Sequence, residues 1–162
     1  MSAAEIFNLG ITELNLGNPK KALSLFEKVL EIVPDHIGAL VKKANIFGKF
    51  GKYPDAISIY DRVIKAEPQN ALALINKGLA LHYLARYGEA IACFDEVLKI
   101  KSDNTTALYN KASSLAKQGR TDESLDILGR AIRLDHSFKY KAKFDIDFEH
   151  IRTNSDFKKL TL

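Results

Sequence analysis

Cysteine occurs once in the 162 residues, at Cys93, so no disulfide can form within the chain. Such sparing use fits a reducing compartment, and a cytoplasmic location is expected. No apolar run approaches the roughly 20 residues that span a bilayer, so no membrane partner is expected. The opening Met1-Ser2-Ala3-Ala4-Glu5 has no basic stretch followed by an apolar core, so no secretory signal is expected. Glycine-rich phosphate loops are lacking. The histidines are His36, His82, His136 and His150, and none pairs with another ligand type at metal spacing on one helix. These absences point away from an enzyme and from any metal or cofactor. Cys93, between Ala92 and Phe94, reads as a packing residue. Charge is also sparse in sign: 24 basic against 20 acidic groups leave +4. That slightly favours acidic partners, but it is far from the dense basic stripe of a nucleic-acid binder, and none is expected.

What is present is a period of 34. Residues 3–36, 37–70, 71–104 and 105–138 align as four rows. One column reads Gly10, Ala44, Gly78, Ala112, and a turn column reads Gly17, Gly51, Ala85, Gly119. Then come Ala22, Ala56, Ala90, Ser124; Phe26, Tyr60, Phe94, Leu128; and Val29, Val63, Val97, Ala131. Pro34 and Pro68 close two rows, with Ser102 and His136 in the other two. Unrelated helices would not keep such register, and repeats decide the fold before any other feature.

Within a row, apolar residues recur at helical spacing, as in Leu74, Gly78, Leu81 and then Ala90, Phe94, Val97, Leu98. Each row therefore predicts two amphipathic helices. The turn column stands where the first helix must stop in a left-handed conformation. Small columns let the two helix axes approach. The second-helix aromatic is expected to fill the space between neighbouring hairpins. Asp35, Gln69 and Asp103 are expected to cap the next first helix.

Ala22-x-x-x-Phe26 with Pro34, and Ala56-x-x-x-Tyr60 with Pro68, resemble the tetratricopeptide repeat (TPR) over residues 3–138. Row four departs most, and Ile6, Leu40, Leu74 and Leu108 stand where the family usually has an aromatic. The resemblance implies an all-α, right-handed α-solenoid of four helix-turn-helix repeats within 1–138, with a helical cap over 139–162. In the tail, Asp145-Ile146-Asp147-Phe148 and Asn154-Ser155-Asp156-Phe157 each read as a polar cap before a short apolar pattern, and are expected to cover row four.

The resemblance also implies that first helices line a concave wall, with function in the side chains there. The groove it implies comprises Phe7, Asn8, Ile11, Lys42, Asn45, Lys49, Ile75, Asn76, Leu79, His82, Tyr83, Tyr109, Asn110 and Lys117. Asparagine recurs at Asn8, Asn76 and Asn110. It is a poor helix former, but its amide can pair with both polar groups of a peptide backbone. A ladder gripping an extended peptide is expected, with apolar Phe7, Ile11, Ile75 and Leu79 beside it. Lys42, Lys49 and Lys117 would meet an acidic residue or a terminal carboxylate. The carboxylate clamp of some family members is broken here: Asn45 and Asn76 fit it, but Val41, Thr106 and Asn110 stand where it needs cations. The expected role is a protein-interaction adaptor holding a partner peptide. The alternative is a self-associating scaffold, a homodimer through row one, whose inner face is apolar and which has no evident cap before Ala3.

Overall fold

The computed structural model describes all 162 residues, which form helices joined by short turns. Four hairpins come first: α1 (Ala3–Asn15) with α2 (Pro19–Ile32), α3 (Ile37–Lys49) with α4 (Tyr53–Ala66), α5 (Ala71–Tyr83) with α6 (Tyr87–Ile100), and α7 (Thr105–Lys117) with α8 (Thr121–Leu134). Three short elements follow: α9 (Ser137–Phe144), a 3-10 helix (Ile146–Ile151) and α10 (Ser155–Leu160). The architecture is all-α. No helix is long and apolar enough to cross a membrane.

The turn column behaves as its residues require. Gly17, Gly51 and Gly119 adopt φ of +78°, +72° and +77°. Ala85 adopts +58° at the same place, although this conformation costs a residue with a Cβ about 1–2 kcal/mol. The first helix is closed there by Schellman-type bonds such as Asn18 N to Glu13 O at 2.9 Å.

The capping residues differ from expectation. Asp35, Gln69 and Asp103 lie one position early. His36 Nδ1, Asn70 Oδ1 and Asn104 Oδ1 accept from the backbone N–H of Ala39, Ala73 and Ala107. The cause is a tight turn before each helix, closed by His36 N to Val33 O and its equivalents, which delays the helix start by one residue. α1 is also capped: Ser2 and Glu5 form a reciprocal capping box, which Ser-x-x-Glu encodes locally.

The second-helix aromatic packs against the first helix of its own hairpin, and Phe26 also shares a buried cluster with Ala39 and Ile46 of the next hairpin. A Cβ at Gly10 would sit 2.6 Å from Phe26 Cε1, and one at Gly78 would sit 2.6 Å from Phe94 Cε1. The first-helix glycine therefore makes room for the ring.

Two compact units divide the chain, Met1–Asn76 and Lys77–Leu162. In the first, Ile6, Ala22, Phe26 and Val29 form one buried cluster with Ala39 and Ile46. Leu40, Val41, Ala44, Tyr60 and Val63 form another, reaching Ala73. In the second unit, Leu108, Tyr109, Ala112, Leu128 and Ala131 share a core with Phe148, Ile151 and Phe157. The terminal segment is thus packed into that unit through large apolar side chains.

Candidate functional site

In Met1–Asn76 the polar first-helix residues converge on one amide. Asn45 Oδ1 accepts from the Tyr60 hydroxyl at 2.5 Å and from Asn76 Nδ2 at 3.0 Å. Burial pushes the Tyr60 hydroxyl well above the ordinary phenol range, so it stays protonated and donates. The bonds leave Asn45 Nδ2 as a donor and Asn76 Oδ1 as an acceptor. Both residues are half-buried, and no side-chain polar atom of this network is buried without a partner. The two unused amide atoms are therefore not sealed away from solvent. Lys42 is half-buried, while Lys49 and Asn8 are exposed.

The apolar groove residues of this unit are less available than the sequence suggests. Phe7 and Ile11 are half-buried against the first cluster, as is Leu14. Phe7 meets Phe26 and His36 at ring-centroid distances of 5.6 and 4.9 Å. Ile75 is buried. These residues supply core more than open wall.

In Lys77–Leu162 the polar residues of the first helices meet the tail. His82 is buried; its Nδ1 lies 2.8 Å from Ser114 Oγ. Its Nε2 lies 3.0 Å from Asp147 Oδ2, on the 3-10 helix. The Ser113 hydroxyl donates to the same oxygen at 2.9 Å. The Tyr109 hydroxyl donates to Asp145 Oδ2 at 2.7 Å. His150 Nε2 reaches the Ala116 carbonyl at 2.7 Å. Burial raises the Asp147 carboxyl, but His82, Ser113 and nearby Lys117 outweigh it and hold the group below its ordinary range. Burial, and then the adjacent Asp145, push the Tyr109 hydroxyl far above the phenol range.

This corrects the expectation for two residues. His82 and Tyr109 do not line an open wall, because the chain's own 3-10 helix covers them. Tyr109 is 2% exposed, stacked on Phe138 at 4.8 Å and edge-on to Phe148 at 5.7 Å. Tyr83 and Lys117 are exposed, and Leu79 and Asn110 are half-buried. Four participants carry no functional expectation from the sequence: Tyr60, whose ring alone is expected to matter, Asp145 and Asp147, expected only as caps, and Ser114. A signal for Tyr60 was present. Where the second-helix ring is Phe26 or Phe94, the first helix opposes it with Ile11 or Leu79. Where the ring carries a hydroxyl, Asn45 stands there.

Models of the tetratricopeptide repeat match residues 3–36, 41–105 and 83–137. The chain belongs to the tetratricopeptide repeat family. Its fold is that of solved TPR structures. A MamA fragment from Desulfovibrio magneticus RS-1 is 20% identical, with a TM-score of 0.84 over 98% of this chain and 88% of that one. MamA AMB-1 is 26% identical, with a TM-score of 0.74 over 83% and 79% of the two chains. YrrB, described as a TPR protein with an unusual peptide-binding site, is 17% identical, with a TM-score of 0.76 over 98% and 82%. No curated protein matches in sequence. The TPR is a protein-interaction fold, and membership of it supports a protein-interaction scaffold.

Proposed function

We propose that the chain is an interaction adaptor that holds a partner peptide through the Asn45–Asn76 amide pair. The observation that carries this is the polarity left over: one free amide donor and one free amide acceptor, held in place by the Tyr60 hydroxyl. A peptide backbone needs that pair, and it can be satisfied whatever the side chains. Lys42 and Lys49 on the same helix favour an acidic segment. Asn8, exposed in the same unit, extends the reading to a further backbone contact. Panning a random-peptide phage library against the parent chain should enrich a peptide set. Asn45→Ala with Asn76→Ala should weaken those peptides at least tenfold at unchanged helicity. Equal binding by the variant would remove the amide pair from the reading.

Self-association is a second reading, favoured by Leu9 on α1 and Leu16 just after it, which are 39% and 68% exposed. Apolar side chains at the end of a repeat array invite a second copy. Light scattering should show mass rising with concentration. A constant monomer mass at high concentration would discard this reading.

A further inference from the structure

The segment Asp145–Ile151 makes its polar contacts in an uneven way. The side-chain groups that face its carboxylates are donors: the Tyr109 and Ser113 hydroxyls and His82 Nε2–H, with the Lys117 charge acting on Asp147. Beside them Tyr109 offers its ring to Phe148. A face that presents donors, a cation and an aromatic wall selects two carboxylates followed by an aromatic ring. That pattern is Asp145-x-Asp147-Phe148, the chain's own sequence.

The hold is also incomplete. The segment is a single 3-10 helix of 6 residues, a geometry with poor internal hydrogen bonds. Ile146 is 71% exposed. Arg152 donates one Nη2 bond to the Asp145 carbonyl, while its Nε is buried with no partner. A buried unpaired donor favours release of the segment that carries it.

We propose that residues 145–151 are an internal ligand, and that the face formed by His82, Tyr109, Ser113 and Lys117 is a site for acidic Asp-x-Asp-aromatic peptides, entered when the tail lets go. The inference deepens the peptide-binding reading and rests on it for the kind of partner, but it concerns Lys77–Leu162 alone. Phe148 must leave its core position for exchange, and an incoming peptide restores that burial with its own ring.

The test uses the full chain and a fluorescent peptide copying residues 144–152. Asp145→Asn with Asp147→Asn should speed amide exchange across 145–152 at least tenfold and tighten peptide binding at least tenfold. A peptide with both aspartates changed to asparagine should bind at least tenfold more weakly than the acidic one. Faster exchange without peptide capture, or neither change, overturns the proposal. If the double variant does not fold, the parent chain decides. Saturating acidic peptide should accelerate exchange of its 145–152 amides, and unchanged exchange overturns the proposal. Undiminished binding of phage-selected peptides by the Asn45/Asn76 variant, with acidic-peptide capture by the tail variant as expected, would sink only the amide-pair reading. Loss of those peptides without acidic-peptide capture would sink only the internal ligand.

Discussion

Asp147 shows how one side chain draws on several others. Its carboxylate accepts from His82 and Ser113 while partly buried, and the gain outweighs the desolvation. A carboxyl held below its unfolded value stabilises the fold above that value and loses the contribution as pH falls through the folded one. Acid titration of stability should therefore separate the parent chain from Asp147→Asn. Between about pH 5 and about pH 2 the advantage of the parent should shrink steadily. A gap that stays constant down to acid would show that Asp147 is not held as an ion. Tyr60 makes the complementary point. Its ring fills the same slot as Phe26 and Phe94, yet its hydroxyl orients Asn45, so a single oxygen converts a packing position into part of a polar site.

At the scale of elements, the helices begin and end where local chemistry dictates, with one systematic shift. The first helices of rows two to four start after a closed turn, so the capping side chain is His36, Asn70 or Asn104. Asn104→Ala should cost about 1 kcal/mol in chemical denaturation. Asp103→Ala, one residue earlier and exposed, should change stability by less than about 0.5 kcal/mol. The reverse ranking would return the cap to Asp103. Sequence alone placed the helix pairs and turns because each depends on neighbours a few residues apart. It misplaced the cap because two polar residues stood side by side, and only the preceding turn chose between them.

For the molecule as a whole, the tail decides how Lys77–Leu162 is closed. Phe148 is fully buried, and Ile151 and Phe157 are nearly so, in the same core as Leu108 and Leu128. Phe148→Ala should lower stability by about 3–5 kcal/mol and the melting temperature by roughly 10 °C. A melting temperature within about 2 °C of the parent would mean that the tail adds little to this core.

The 34-residue period, the paired helices, the left-handed turns and the columns of small residues were legible in the chain, since they follow from spacing along a helix and the size of a side chain. Which polar groups meet was not. Asn45 with Tyr60, Asn76 with Asn45, and Ser113 with Asp147 are 15, 31 and 34 residues apart. Such pairs exist only after helices have packed and a side chain has been aimed across the gap. Local pattern carries no record of that direction, and so the tertiary structure alone decided that Asn45 and Asn76 pair with each other while His82 and Tyr109 are covered by the chain's own end.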